Sequence, residues 1–412
     1  MFKPTGISLL VLAAALAFSA PAQARKHVAM PGSPDDVTAT PAPSGPPPVP
    51  DSPTADKTTP QPPTLPDMTA YVLMDASTGA ILAEAAPTLQ IPPASLTKLM
   101  TAHLVYQALH GGSLKLNQTV PVSPAAWHAG GSRMFIDTTS NVTVDELLHG
   151  MIVDSGNDAA VALAEQVAGS QDSFVQLMNK SAAAIGLTNT NYTNVTGLPD
   201  PALRTTAMDV AILTRAILQD EPEILNISKL QSYTYNNITQ ASWNPVLQHD
   251  PTVDGLKTGL TKESGHCIDA TAIRNGNRLI AVVTGGPTWH ASTAAIESLL
   301  NYGQKFFTDV EISTPGQQVD TLASPALDSG SVAVGTAKAI TITLPTDAAA
   351  KITHTIAYTA DMTPGVTKGE PLGTISYTLA DKTLATSPVI ALADSPPAGF
   401  LTKLKRKLSK YL

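Results

Sequence analysis

The chain has 412 residues, of which 43% are hydrophobic, which is enough to bury at least one large core and to build two domains. Its formal net charge of −8 argues against a nucleic acid as a partner of the whole chain. The single cysteine, Cys267, excludes an intramolecular disulfide and is expected to be a small buried hydrophobic residue. The nine histidines show no H-E-x-x-H or comparable spacing, so no metal or other cofactor is predicted.

The first 24 residues have the order of a secretory signal peptide. Lys3 precedes an apolar run over residues 7–18, and the small residues of Ala22-Gln23-Ala24 suit a cleavage site. A membrane-spanning helix needs about 20 apolar residues, so this run is too short to span, and export is predicted instead. Residues 25–67 are rich in proline among Ser, Thr, Asp and Ala, which predicts a disordered linker.

The next part of the chain, residues 68–309, alternates strand and helix signals. Two short strands at residues 70–75 and 80–83 are predicted to form a hairpin. Helical periodicity, capping residues and terminal glycines predict helices over residues 95–110, from the capping box at 143, and over 158–167, 173–185 and 294–307. Asn275-Gly276 is a strong hairpin signal between two further strands. Strands at both ends with helices between them predict an α/β domain whose first and last strands share one sheet.

Beyond residue 309 the sequence changes to short runs rich in Val, Ile and Thr, which predict a small all-β sandwich domain over residues 310–393. Residues 396–412 are predicted to form a basic amphipathic helix. Its apolar face holds Phe400, Leu401, Leu404, Leu408, Tyr411 and Leu412, and the rest carries Lys403, Lys405, Arg406, Lys407 and Lys410. Such a helix favours an anionic membrane surface, with Ser395-Pro396-Pro397 detaching it from the fold. The alternative is a solvated helix docked on its own domain.

A candidate nucleophile and base lie at the start of the first predicted helix. Ser95 and Lys98 are one helical turn apart, so the lysine amine can reach the serine hydroxyl. If that amine is shielded from water and near another cation, its pKa falls and it can accept the serine proton. S-x-x-K alone is a weak pattern, because a serine at a helix start is ordinarily a cap.

Two further patterns strengthen this one. Ser155-Gly156-Asn157 joins two predicted helices, where turn residues direct both polar side chains toward a cleft. Lys257-Thr258-Gly259 begins a strand, and its glycine lets another chain lie close along the strand edge. Each pattern is weak by itself. S-x-N is more often a capped loop, and it recurs at residues 242–244. Together, in the order S-x-x-K, S-x-N and K-T-G, they form the signature of penicillin-recognising serine enzymes.

Wider stretches around these patterns resemble the D-alanyl-D-alanine carboxypeptidases, the low-molecular-mass penicillin-binding proteins that trim bacterial peptidoglycan. The resemblance is carried by residues 93–101, 155–160, 178–179, 206–209 and 253–259. It implies a β-lactamase/transpeptidase-like α/β domain over residues 68–309, with a mixed sheet and helices on both sides. It also implies a periplasmic protein, peripheral on the outer face of the inner membrane, that acts on stem peptides ending in D-Ala-D-Ala.

The resemblance also implies roles for the first two motifs. Ser95 would attack the carbonyl between the two terminal D-alanines and form an acyl-enzyme, with Lys98 as its base. Ser155 and Asn157 would relay a proton to the leaving D-alanine and hold the substrate amide. β-Lactams mimic this peptide and are expected to acylate Ser95.

The third motif is implied to bind the substrate. Lys257 would supply positive charge that keeps Lys98 neutral and attracts the terminal carboxylate, to which Thr258 would donate a hydrogen bond. Gly259 belongs to the same substrate-binding strand. The backbone N–H groups of the nucleophile and of Leu260 would form the oxyanion hole.

Three positions depart from the family pattern. Leu260 follows K-T-G where many members have histidine, Trp243 stands where many have arginine, and residues 291–293 lack a second arginine. These departures leave the substrate preference open. The competing functions are a DD-endopeptidase of peptidoglycan cross-links, an inactive cell-wall-binding scaffold and a β-lactamase. The β-lactamase pattern E-x-x-L-N is matched only superficially over residues 221–226, because Pro222 occupies the position of the glutamate.

Overall fold

The computed structural model describes residues 60–380 and 382–408. The signal peptide predicted for residues 1–24 and the linker residues 25–59 lie outside the described residues. The helices of the described part are α1 (Thr97–His110), α2 (Pro124–Trp127), α3 (Val144–Ile152), α4 (Asn157–Ala168), α5 (Gln171–Ala184), α6 (Ala207–Asp220), α7 (Leu225–Ser228), α8 (Val246–His249), α9 (Trp289–Phe306) and α10 (Phe400–Leu408). The strands are β1 (Ala70–Asp75), β2 (Ile81–Ala85), β3 (Thr119–Val120), β4 (Val142–Thr143), β5 (Ser232–Tyr235), β6 (Ile238–Ala241), β7 (Val253–Thr261), β8 (Gly265–Arg274), β9 (Asn277–Gly286), β10 (Phe307–Ser313), β11 (Gln318–Ala323), β12 (Ser331–Thr336), β13 (Ile340–Pro345), β14 (Ile352–Tyr358), β15 (Pro371–Leu379) and β16 (Lys382–Ala391).

The chain enters its first domain along residues 60–67, the last part of the predicted linker. The carbonyl of Pro60 accepts a hydrogen bond from the Tyr302 hydroxyl at 2.6 Å. The carbonyl of Pro63 accepts one from the Tyr71 hydroxyl at 3.1 Å. These two bonds hold the entering segment against α9 and β1.

The first domain is built on one five-stranded sheet in the order β2-β1-β9-β8-β7, and each neighbouring pair in it is antiparallel. The predicted hairpin at Asn275-Gly276 is confirmed, because β8 and β9 pair directly across it. The prediction that the first and last strands of the domain share one sheet is also confirmed, since Val72 of β1 lies opposite Val282 of β9. This order leaves β7 at one edge of the sheet.

Helices cover both faces of this sheet, which confirms the predicted α/β class, although the strand pairs of the sheet are antiparallel rather than mixed. Successive side chains of a strand point to opposite faces, so β1 contributes Val72 to one core and Leu73 to the other. The larger core packs α1, α3, α4, α5 and α6 on one face, and the smaller core packs α8 and α9 on the other. Cys267 is fully buried in the larger core, as predicted, and burial raises the pKa of its thiol to about 11.

Local sequence explains where the helices around the site begin and end. The predicted capping box opens α3: the Thr143 side chain accepts the N–H of Glu146, whose carboxylate accepts the Thr143 N–H at 2.8 Å. After α4 comes Gly169 with a φ of 77°, the left-handed conformation that favours glycine. The first predicted helix begins later than expected. Ser95 lies in the 3₁₀ turn Ala94–Leu96, directly before α1.

The second domain is all-β, as predicted. β10 and β13 form one small sheet, and the larger sheet has the order β11-β12-β16-β15-β14. A common core joins the two sheets and contains Leu344 of β13 together with Leu372 and Val389 of the larger sheet. The turn between β1 and β2 also touches this domain, since the Ser77 hydroxyl donates to the Asp309 carboxylate at 2.6 Å.

The segment that follows β16 stays on the second domain. Ser395 forms an isolated β-bridge with Val366, and Pro397 forms another with Leu327. The expectation that Ser395-Pro396-Pro397 detaches the terminal helix is therefore wrong. Proline lacks an N–H donor but keeps its carbonyl, and the carbonyl of Pro396 accepts the N–H of Asp328 at 2.9 Å.

The terminal helix α10 is docked on the second domain by one side of its surface. The Thr402 hydroxyl donates to the Asp328 carboxylate at 2.9 Å. The Arg406 guanidinium donates to three backbone carbonyls, those of Pro325 (3.0 Å), Leu327 (2.7 Å) and Asp328 (2.9 Å). Three large apolar side chains of the helix remain exposed, namely Phe400 (79%), Leu401 (70%) and Leu404 (43%). Within residues 60–380 and 382–408, every helix is too short or too polar to cross a membrane.

Candidate active site

Ser95 and Lys98 are in contact at the start of α1. Lys98 Nζ lies 2.9 Å from Ser95 Oγ and donates to the carbonyl of Thr196 at 2.8 Å. The Lys98 side chain is fully buried, and this burial lowers the pKa of the amine well below its usual value. The positive charge of Lys257 lowers that pKa further. A neutral amine here keeps an N–H for Thr196 and has a lone pair for the proton of Ser95.

Ser155 and Lys257 form a second contact in the same site. Lys257 Nζ donates to Ser155 Oγ and to the carbonyl of Thr258, each at 3.0 Å. Both side chains are buried, and burial lowers the pKa of Lys257 to about 7. The turn between α3 and α4 therefore places the Ser155 hydroxyl in contact with the Lys257 amine of β7.

The turn that carries Ser155 and Asn157 is held by a loop at residues 130–132. Ser155 has a φ of 57°, a left-handed conformation that costs on the order of 1 kcal/mol or more in a residue other than glycine. The Ser132 hydroxyl donates to the Ser155 carbonyl at 2.6 Å, and Asn157 Nδ2 donates to the Gly130 carbonyl at 2.5 Å. Asn157 Oδ1 is buried without a hydrogen-bond partner. The loop thus orients the amide and leaves its oxygen for another donor.

The edge strand β7 lies against the turn that carries Ser95. A Cβ atom added to Gly259 would stand 3.0 Å from the Pro93 carbonyl oxygen and 3.2 Å from Ser95 N. Glycine at this position therefore lets the Ala94–Leu96 turn pack directly on the strand. Among the described residues, β7 pairs in the sheet with β8 alone, so its other edge can accept an extended peptide beside Ser95.

A second glycine, Gly197, packs on the same turn. Its φ is 90°, and an added Cβ would stand only 1.7 Å from the Ala94 carbonyl oxygen and 2.9 Å from Ser95 N. The preceding residue is Thr196, whose carbonyl accepts the Lys98 amine. Residues 196 and 197 therefore hold the Lys98 amine and the backbone of Ser95 in position.

Two of the positions that depart from the family pattern have structural partners. Trp243 Nε1 donates to the Asp154 carbonyl at 3.2 Å, so the indole supports the turn that precedes Ser155. The Ser292 hydroxyl is fully buried and donates to the His266 carbonyl at 3.0 Å. Neither residue supplies the positive charge that an arginine would bring.

The structure brings the three predicted motifs into one site. The Lys98 amine contacts the Ser95 hydroxyl, and the Lys257 amine contacts the Ser155 hydroxyl. Sequence reasoning missed three supporting elements: the loop at 130–132, the pair Thr196-Gly197, and Asp154. A signal existed for the pair, because Asn194 followed three residues later by glycine is typical of a turn. The Asn194 side chain indeed accepts the Gly197 N–H at 2.7 Å. For the loop, no local signal could indicate the contact with Asn157, because Gly130 and Asn157 are 27 residues apart in the chain.

Two family models match this chain. The model described as D-alanyl-D-alanine carboxypeptidase matches residues 56–288, and that of the penicillin-binding protein 5 C-terminal domain matches residues 307–396. A curated relative, the D-alanyl-D-alanine carboxypeptidase DacC of Escherichia coli (strain K12), is 36% identical over 346 residues. That alignment covers 82% of this chain and 86% of the relative.

Solved structures of similar proteins match this chain over different shares of its length. Penicillin-binding protein 5 from Haemophilus influenzae matches with a TM-score of 0.75 and 35% identity, over 82% of this chain and 99% of that one. Penicillin-binding protein D2 from Listeria monocytogenes in its cefotaxime-bound form matches with a TM-score of 0.55 and 28% identity, over 59% of this chain and 99% of that one. Since the family models match both folded domains in chain order, the chain belongs to the D-alanyl-D-alanine carboxypeptidase family.

Proposed function

We propose that this protein is a serine-type carboxypeptidase that removes the terminal D-alanine from peptidoglycan stem pentapeptides through an acyl-enzyme on Ser95. The observation that carries the proposal is the 2.9 Å contact between the Ser95 hydroxyl and the buried amine of Lys98. A hydroxyl becomes a useful nucleophile when a neighbouring base accepts its proton, and burial keeps this amine neutral enough to do so. The substrate class follows from family membership and from the name of the DacC relative.

In the acylation step, Lys98 takes the proton of Ser95, and the serine oxygen forms a bond to the carbonyl carbon of the penultimate D-alanine. The backbone N–H groups of Ser95 and Leu260 stabilise the oxyanion that develops. The packing of Gly259 on the Ser95 nitrogen supports this pairing, because Leu260 is the next residue of β7.

The leaving group is handled by the second and third motifs. As the C–N bond breaks, Ser155 relays to the departing D-alanine nitrogen the proton that Lys98 took from Ser95, so Ser155 and Lys98 both return to their starting protonation states. Lys257 is the ammonium group that contacts the Ser155 hydroxyl. Asn157 offers its unpartnered Oδ1 to the substrate amide. The terminal carboxylate binds Lys257 and Thr258. Water then hydrolyses the acyl-enzyme and frees Ser95.

The β-lactamase alternative has no support from its candidate acid. The Glu221 carboxylate is buried and lies 2.9 Å from His103 Nδ1, so it is engaged in the helical core. β-Lactams are accordingly proposed as acylating inhibitors of Ser95 rather than as substrates that turn over rapidly. The Listeria monocytogenes relative in its cefotaxime-bound form supports this class of ligand.

Purified protein is expected to release free D-alanine from a pentapeptide ending in D-Ala-D-Ala, because Lys257 and Thr258 favour a substrate with a terminal carboxylate. The measurement compares D-alanine release from the pentapeptide with cleavage of a cross-linked peptide dimer. Covalent labelling by penicillin without D-alanine release would favour the endopeptidase if the dimer is cut, and the scaffold if it is not. Fast loss of the label with β-lactam turnover would favour the β-lactamase.

The protein is further proposed to be exported and to lie on an anionic membrane surface through α10. Arg406 and Thr402 hold one side of the helix on the second domain, while Phe400, Leu401 and Leu404 stay exposed. An exposed apolar strip on a helix whose other residues include cations is typical of interfacial membrane binding.

Replacing Phe400, Leu401 and Leu404 together with serine is expected to abolish sedimentation of the protein with vesicles that contain anionic lipid. The cations and the docking residues stay in place, so only apolar insertion is lost. The matched control is Leu116→Ser, which removes another exposed apolar side chain from the first domain. Pelleting of the triple variant at the level of the unaltered protein would contradict the membrane proposal.

A further inference from the structure

Asp158 is a buried carboxylate to which none of the three motifs assigns a role. It follows Asn157 in the first turn of α4, and it is 0% exposed. Its two oxygens accept four backbone N–H groups, those of Met134 (2.9 Å) and Ala159 (3.0 Å) on Oδ1 and those of Phe135 (2.9 Å) and Ile136 (3.3 Å) on Oδ2. Burying a charge is costly unless such bonds and a counter-charge satisfy it, and Arg133 Nε lies 3.7 Å from Oδ2. The carboxylate is therefore built into the loop that contains residues 133–136.

The shape of this loop depends on the carboxylate. Three successive N–H groups that converge on one anion form a nest, a concave arrangement of the backbone that binds anions. In the middle of the nest, Phe135 has a φ of 69°, a left-handed conformation that is rare in a bulky residue. The Phe135 side chain is 39% exposed, so the hydrogen bond to Asp158, rather than burial of the ring, stabilises this conformation.

The glycine inside the S-x-N motif leaves room for the nest. A Cβ atom added to Gly156 would stand 2.9 Å from Asp158 Oδ1 and 3.1 Å from Met134 N. A side chain at residue 156 would therefore push between the carboxylate and an N–H group that it binds. Glycine at this position thus serves the contact with the loop as well as the turn.

The other part of the same loop holds the turn that carries Ser155 and Asn157. The Ser132 carbonyl accepts the Asn157 N–H at 2.7 Å, and the Ser132 hydroxyl donates to the Ser155 carbonyl at 2.6 Å. The Gly130 carbonyl accepts Asn157 Nδ2. A single residue separates Ser132 from the first N–H group of the nest. A change in the nest is therefore transmitted to both motif residues through a very short stretch of chain.

We propose that Asp158 is a positioning residue whose carboxylate holds residues 130–136 in the conformation that orients Ser155 and Asn157. This inference rests on the proposed function, in which Ser155 relays a proton to the departing D-alanine nitrogen. Asparagine in place of Asp158 keeps one oxygen and exchanges the other for an NH2 group, which donates hydrogen bonds and cannot accept an N–H group. The Asp158→Asn variant therefore loses half of the bonds that shape the nest.

This loss should affect the leaving group more than the nucleophile. The Lys98 amine, which activates Ser95, is held by the Thr196 carbonyl, and Thr196 does not belong to the loop. A leaving nitrogen needs a proton from the relay, whereas a thiolate departs without one, because a thiol ionises near pH 8.5. Cleavage of a peptide bond should therefore depend on the loop more strongly than cleavage of a thioester.

The test compares kcat/KM of Asp158→Asn on a peptide ending in D-Ala-D-Ala and on its thioester analogue, in which sulfur replaces the nitrogen of the terminal D-alanine. For the peptide, kcat/KM is expected to fall about 100-fold, the cost of a displacement of about 1 Å in a reacting group. The thioester loses the hold of Asn157 on the substrate but needs no proton relay, so its value should fall about tenfold at most. The ratio of the two values should then fall about tenfold or more.

Two measures separate this role from a loss of folded protein. Both values are expressed per active site, counted by complete labelling with a fluorescent penicillin, so that unfolded protein does not contribute. The matched control is Asp172→Asn, because Asp172 is the second residue of α5 as Asp158 is of α4, but it is exposed. This control should leave both values of kcat/KM unchanged.

A second variant applies if Asp158→Asn yields no protein that penicillin labels. Ser132→Ala removes the hydroxyl that bonds the Ser155 carbonyl and leaves the buried carboxylate in place. It should lower the same ratio about fivefold, the worth of one such hydrogen bond.

An unchanged or higher ratio in Asp158→Asn, or in Ser132→Ala where that variant is used, would overturn the inference, whether both values fall together or neither falls. In that case D-alanine release by the unaltered protein still supports the proposed function. If the unaltered protein releases no D-alanine and Ser95→Ala is indistinguishable from it, the proposed function fails and the inference fails with it.

Discussion

Ser95→Ala is expected to abolish both D-alanine release and covalent labelling by penicillin. The serine oxygen is the atom that forms the acyl bond, and no other hydroxyl contacts the Lys98 amine among the hydrogen bonds of the described residues. Removing the nucleophile of a serine peptidase lowers kcat by on the order of 10⁵-fold or more. The measurement is gel fluorescence after incubation with a labelled penicillin, together with a D-alanine assay.

The control for this variant is Ser113→Ala, which removes a hydroxyl just beyond the other end of α1. The Ser113 hydroxyl is exposed and donates only to the backbone carbonyl of Ala108, at 3.1 Å. Labelling of Ser113→Ala should match that of the unaltered protein. Persistent labelling of Ser95→Ala, with its folding verified by circular dichroism, would show that another residue is the nucleophile.

Gly197→Ala is expected to slow acylation about 100-fold, although the residue carries no chemistry. Its Cβ would stand 1.7 Å from the Ala94 carbonyl oxygen, so the turn that carries Ser95 must move. A displacement of about 1 Å in a reacting group costs about 10²-fold in rate. The variant should also lose about 2–4 kcal/mol of unfolding free energy, through the clash and the positive φ. Acylation kinetics and urea unfolding measure the two effects separately.

Gly169→Ala is the matched control for this prediction. Gly169 has a φ of 77°, but an added Cβ would meet nothing within 4 Å. It should lose only the left-handed penalty of about 1–2 kcal/mol and keep the acylation rate of the unaltered protein. Equal acylation rates in Gly197→Ala and the unaltered protein would contradict the assigned role of the Gly197 contact.

Local signals predicted several elements of the first domain, but the helix α6 and the hairpin of β5 and β6 were not predicted. The capping box at Thr143 and the hairpin at Asn275-Gly276 depend on residues that are near each other in the chain, so the sequence alone specifies them. The late start of α1 was not predicted. It depends on Ala94, whose φ of 48° is stabilised by packing against Gly197, a residue distant in the sequence.

The side chains of the site and the contact between Ser95 and Lys98 were predicted, but the backbone partners of these side chains were not. Ser95, Lys98, Ser155 and Lys257 are recognisable because their residue types and spacing are specific. Their backbone partners are not, because the carbonyl of Thr196 that accepts the Lys98 amine belongs to no distinctive residue type. The burial of Asp154 was missed for a related reason, since only the packed fold shows that its side chain is enclosed.

The most direct test of the central claim is mass-spectrometric mapping of the site that benzylpenicillin acylates. The protein is incubated with the antibiotic, digested and searched for the peptide that carries the added mass. We expect a single penicilloyl adduct on Ser95, because its hydroxyl lies 2.9 Å from the buried Lys98 amine. An adduct on Ser155 or on any other residue, or the absence of an adduct, would contradict the assignment of Ser95 as the nucleophile.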